Sequence, residues 1–155
     1  MSMRRVGVRK MAGAVLVGLL LALPVAAADL GHYLLGDTAA RTPGKVEPGL
    51  LLMGGGDRNF DAIRWFMRKA GNGHIVVLRA SQGGEIGEEF FNEVGGIASV
   101  ETFVFKDRES AYDPAVLAAL KRADGIFLAG GDQSRYVRYW RGTPVAAALD
   151  AHVRA

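Results

Sequence analysis

The residues best suited to chemistry lie together near the end of the chain, in Gly130-Gly131-Asp132-Gln133. They follow Ile126 to Ala129, an apolar run of strand length bounded by glycines. A buried parallel strand has this form, and open α/β sheets bind ligands at the carboxyl ends of such strands. Paired glycines carry no Cβ, so their N–H groups can approach an anionic oxygen, and the Gln133 amide can both donate and accept. Backbone donors about 3 Å from a developing oxyanion are what acyl transfer requires. A nucleophile and a base in mutual reach are also needed, and no such pair is visible.

Other groups fit named chemistries less well. Gly54-Gly55-Gly56 precedes Asp57 after the apolar run Gly49 to Met53, but a dinucleotide fingerprint needs glycine where Asn59 stands. These four residues are therefore expected to form a ligand-facing turn, or simply a tight one. Ser81 ends a second apolar run; a nucleophile elbow would require glycine at the place of Arg79, so Ser81 is assigned to the pocket lining. His32, His74 and His152 lack metal-ligand spacing, and no metal or cofactor is expected. Glu85, Glu88, Glu89 and Glu93 read as the solvated side of a helix. Arg135, Tyr136, Arg138, Tyr139 and Trp140 admit two readings: a half-buried helix with snorkelling arginines, or a rim for an anionic, aspartate-rich substrate.

The elements that must hold these residues alternate. Strands are expected at Gly49–Met53, His74–Ala80, Val100–Phe105 and Ile126–Ala129. Between them Phe60, Ile63, Met67 and Ala70 share one helical stripe, as do Ile86, Phe90 and Val94, and then Val116, Leu117 and Leu120. Asp113-Pro114 and Thr143-Pro144 start helices, with a cap followed by proline. A short helix is expected over Tyr136 to Trp140, and Val145, Leu149 and Val153 give the face of a last one. Lys106 to Ser110 reads as a surface loop. This order demands a mainly parallel α/β sheet with helices on both faces. Asp29 to Pro48 shows no period and reads as an extension or linker, so the α/β domain is expected over 49–155.

The first 28 residues have the form of a secretory leader: Arg4, Arg5, Arg9 and Lys10, then an apolar run Met11–Leu23, then Ala26-x-Ala28. As a helix that run would reach about 20 Å, short of a bilayer core. Cleavage near Asp29 would release a periplasmic or extracellular protein without a membrane anchor. Of 19 basic residues four lie in this leader, whereas all 16 acidic residues lie at Asp29 or later. The remainder has a net charge of −1, so no nucleic-acid partner is implied. The sequence has no cysteine, which excludes disulfide and thiolate-metal frameworks.

Taken together, Leu51-Leu52-Met53-Gly54-Gly55-Gly56, Leu78-Arg79-Ala80-Ser81 and the segment Ala123 to Gln133 resemble the N-terminal half of cyanophycinases. These are serine peptidases related to aspartyl dipeptidases, with a flavodoxin-like fold of the class I glutamine amidotransferase type. The resemblance implies a peptide or β-aspartyl-arginine polymer as substrate. It makes Gly130, Gly131 and Asp132 the oxyanion or substrate-binding turn and Gln133 a substrate contact near the nucleophile. Gly54 to Asp57, Ser81 and Arg135 would line the same edge. The family's nucleophile, in a Gly-x-Ser-x-Gly elbow, and its histidine are expected beyond Ala155, so the chain reads as a truncated, inactive catalytic domain. The alternative is an exported binding module without chemistry, or a decayed enzyme. An unpaired side on the fourth strand would favour homo-oligomers.

Overall fold

A computed structural model describes residues 29–81 and 83–155; the expected leader lies outside them. Four strands form one sheet in the order β1-β3-β2-β4, with β1 at Leu30–Gly36, β2 at His74–Arg79, β3 at Ser99–Phe105 and β4 at Gly125–Leu128. β3, β2 and β4 run parallel, and β1 pairs antiparallel with β3, Leu30 opposite Phe105 and Gly36 opposite Ser99. The expected α/β architecture is present.

Two expectations about the first strand are corrected. Leu30–Gly36, read as a linker, is an edge strand of the sheet. Its glycines and histidine hide the pattern, and pairing with the fully buried β3 decides its conformation. Gly49–Met53, read as a buried strand, pairs with nothing among the described residues. It keeps a strand-like alternation without a ladder: Leu51 and Met53 pack on the core, while Leu50 and Leu52 are 73% and 84% exposed. Apolar content alone did not bring the segment into a ladder.

The helices follow the caps and stripes. α1 spans Phe60–Lys69, with the Asn59 side chain accepting from the N–H groups of Asp61 and Ala62. α2, Glu85–Glu88, continues as a π-helical turn over Glu89–Val94, closed by the Gly95 N–H on the Phe90 carbonyl. α3 spans Pro114–Arg122, α4 Gln133–Trp140 and α5 Pro144–Arg154. α4 starts three residues earlier than the aromatic pattern suggested, because Asp132 caps it. On α5 Val145 is fully buried, but Val153 is 77% exposed because the last turn runs past the layer it packs on. The Lys106–Ser110 loop is not all surface: Ser110 is buried and bonded to Asp107, opening a 3-10 turn at Glu109–Tyr112.

Both faces of the sheet are covered. Ile63 and Met67 of α1, with Ile86 and Phe90, pack on Ile75, Val77 and Val100. Val116, Ala119 and Leu120 of α3, with Trp140 and Val145, pack on Val76, Leu78 and Phe103 from the other side. The chain leaves β2 for β3 across the first face, and returns from β3 to β4 across the second, passing over β2. Right-handed crossovers in opposite directions put successive helices on opposite faces. The loops after β2 and β4 therefore leave toward opposite faces at the carboxyl ends of those two strands. That is the topological switch point, where open α/β sheets bind ligands. No helix among the described residues is long and apolar enough to cross a membrane.

Candidate functional site

The switch-point crevice gathers the end of β2 (Arg79, Ala80, Ser81), the end of β4 (Ala129, Gly130, Gly131) and the start of α4 (Asp132 to Arg135). The Ala129 N–H still bonds to the Leu78 carbonyl, so the two strands stay in register up to the turn. Beyond it, no hydrogen bond among the described residues uses the N–H of Gly130, Gly131 or Asp132. Gly130 is exposed, and a Cβ there would meet nothing within 4 Å. Gly131 has φ +150, and a Cβ on it would lie 2.9 Å from Ser81 Oγ. The fold thus brings Ser81 and the Gly-Gly turn face to face across the crevice.

Asp132 is occupied locally. Its carboxylate accepts from the Ser134 N–H at 2.9 Å, and Arg135 Nε lies 3.7 Å away. The hydrogen bonds from the Ser134 side chain and N–H, then Arg135 and Arg138, hold the carboxyl below the ordinary aspartate value despite slight burial. Capping fixes where α4 begins and turns its first N–H groups, with their partial positive charge, toward the crevice. Gln133, the first residue of α4, is exposed, and its side chain makes no hydrogen bond among the described residues.

The basic-aromatic cluster resolves into two sides of one helix. Tyr136 and Trp140 turn inward, with ring centroids 4.6 Å apart, and Trp140 meets Phe105 edge-on at 5.2 Å. The Tyr136 hydroxyl donates to the Ala129 carbonyl and so ties α4 to the end of β4. Burial raises its pKa above the usual phenol value, against the opposing effects of the Ala80 backbone and the Arg79 guanidinium. Arg135 and Arg138 point outward and remain exposed. A half-buried helix with exposed arginines is the structural reading of this segment.

Arg79 was noted in the sequence only as the residue that spoils a nucleophile elbow. The structure places its Nε 3.3 Å from Ser81 Oγ, at the wall of the crevice. Its position at the end of a strand, two residues before an exposed-type serine, was the available signal. Gly54, Gly55, Gly56 and Asp57 sit in the exposed loop before α1; a Cβ at any of the three glycines would meet open space. No hydrogen bond or ion pair among the described residues links that loop to Ser81 or to Gly130–Gln133.

Two of the histidines are engaged elsewhere. His74 starts β2 and bonds to Ser99 Oγ at 2.8 Å and to the Ala40 carbonyl at 2.9 Å. Seven residues of extended chain, about 20 Å, separate it from Ser81. His32 stacks on Phe103 and lies 2.8 Å from Glu101 Oε1, a buried carboxylate that Arg122 also binds. Among the described residues the hydrogen-bond neighbour of Ser81 is an arginine, not a base. Among the described residues no group of three or more His, Asp or Glu side chains could hold a metal.

No family model matches the chain. It is 29% identical over 124 residues to a protein named cyanophycinase from Trichormus variabilis, and to the same extent to one from a Nostoc species. Each match covers 74% of this chain and 41% of the relative, so the chain spans about two fifths of the length of these relatives. The similarity is that of a distant, cyanophycinase-like relationship.

Proposed function

We propose that this chain carries the oxyanion- and substrate-binding edge of an exported, cyanophycinase-like serine hydrolase that acts on β-aspartyl-arginine polymer or related aspartyl peptides. The observation that carries the reading is the pair of glycines at the carboxyl end of β4, whose N–H groups make no hydrogen bond among the described residues and whose second member lies against Ser81 at the switch point. Such donors stabilise an oxyanion only where they are preorganised, and the cap on α4 and the Tyr136 bond to Ala129 hold this turn from both sides. Because no serine in the crevice meets a base, residues 29–155 alone are expected to bind without hydrolysing.

The test fuses these residues to the C-terminal part of the Nostoc cyanophycinase and follows release of aspartyl-arginine dipeptides. Expected are turnover by the fusion, none by the chain alone, and loss in a Gly130→Val fusion that remains folded. Serine-reagent-sensitive turnover by the chain alone would refute the proposed inactivity. A folded fusion that binds aspartyl peptide and never turns over would replace the enzyme by a binding module. Export is checked by sequencing the amino terminus of protein recovered from the periplasm, where Asp29 is expected first.

A further inference from the structure

Several cations on this surface hold a carboxylate at close range. Lys106 Nζ lies 2.6 Å from Asp29, Lys69 Nζ 2.9 Å from Glu47, and Arg58 and Arg122 grip Glu89 and Glu101. The two arginines at the crevice differ. Arg79, whose side chain is only 20% exposed, gives Nε to the neutral Ser81 hydroxyl, and its nearest carboxylate, Glu85, stands 4.0 Å away and is 78% exposed. Arg135 reaches the Ala80 carbonyl through Nη1 at a long 3.5 Å, and its Asp132 partner is at 3.7 Å and committed to capping. Both guanidinium groups thus meet the same Ala80–Ser81 turn. The Arg79 guanidinium, largely withdrawn from water, would regain solvation from a close, bidentate anion, and the exposed Arg135 stands beside it. Among the described residues each group leaves most of its five N–H donors uncommitted.

We propose that Arg79 and Arg135 form a clamp for a carboxylate on the ligand, making Arg79 a specificity-determining residue; this deepens the hydrolase reading and rests on it. The clamp sits beside the N–H groups of Gly130 and Gly131, which make no hydrogen bond among the described residues, and the positive end of α4. A carboxylate held there places the neighbouring carbonyl of an acidic peptide over the glycine turn. Glu85 competes for Arg79 from its exposed position, so its removal should strengthen binding.

The experiment titrates the chain with succinate at low salt and follows the 15N signals of Gly130, Gly131 and the arginine Nε groups. Saturable shifts are expected at all of them. Affinity should fall at least tenfold in Arg79→Gln and in Arg135→Gln, rise severalfold in Glu85→Gln, and weaken with added salt. Uncharged succinamide should give no shifts. Absence of saturation, equal response to succinamide, inorganic phosphate binding as tightly as succinate, or unchanged affinity in both arginine variants would each overturn the clamp. Amide spectra of the variants report folding directly, and Glu85→Gln tests the idea through a gain. The two proposals separate cleanly. A fusion that cleaves polymer equally well with Arg79→Gln removes the clamp and leaves the hydrolase, whereas succinate binding with an inert fusion does the reverse.

Discussion

Adding one methyl group at each of the two neighbouring glycines should have opposite consequences. At Gly131 the backbone has φ +150, which L residues rarely adopt, and holding a side chain there costs about 1–3 kcal/mol. The new Cβ would also lie 2.9 Å from Ser81 Oγ, but that oxygen can rotate away and its bond to Arg79 is long. Backbone strain therefore dominates, and Gly131→Ala should lower the melting temperature by about 4–12 °C, at roughly 4 °C per kcal/mol for a domain of this size. At Gly130 nothing lies within 4 Å of a Cβ, so Gly130→Ala should change stability by less than about 0.5 kcal/mol. Its methyl group would instead occupy the space where a ligand meets the turn. Thermal and urea unfolding of Gly130→Ala, Gly131→Ala, Ser81→Ala and the Gly131/Ser81 double variant decide the matter. Equal cost at both glycines would refute the argument. So would full rescue of Gly131→Ala by Ser81→Ala, because strain does not depend on the hydroxyl.

Four further outcomes are expected. Phe90 is fully buried and meets Phe127 edge-on at 5.0 Å, so Phe90→Ala should cost about 3–5 kcal/mol in urea unfolding. Asn59→Ala removes the side-chain cap on α1 and should cost about 1 kcal/mol by the same measurement. Burial tends to raise the Asp107 carboxyl, but bonds from the Ser110 hydroxyl and N–H and from the Asp29 N–H, with Lys106, outweigh it and leave the pKa below the usual value. A carboxyl depressed in the folded state adds stability above its unfolded pKa and loses it as pH falls through the folded one. The urea midpoint should therefore decline below about pH 4, and less steeply in Asp107→Asn; an identical decline in both would remove Asp107 from the account. Finally, β4 has no neighbour on its outer side among the described residues, and Leu128 beside it is 51% exposed. Sedimentation should show self-association that Leu128→Lys reduces, whereas a sharp monomer with a cooperative melt would count against an adhesive edge.

Local chemistry made much of this protein legible from its residues alone. Three of the four strands and the helices between them were legible because continuous β-branched runs, stripes at 3.6-residue spacing and Asp-Pro or Thr-Pro starts each depend on a few neighbours in the chain. The glycine turn was legible for the same reason, since a strand ending in Gly-Gly-Asp announces a tight turn and a helix cap. What stayed hidden depends on partners distant in sequence. Leu30–Gly36 became a strand because β3 offered it free N–H and C=O groups, whereas Gly49–Met53 pairs with nothing among the described residues even though β4 keeps an open outer side. Arg79 and Ser81 acquired their place only when β4 settled beside β2, and the order of the strands, not their composition, put that crevice at the switch point.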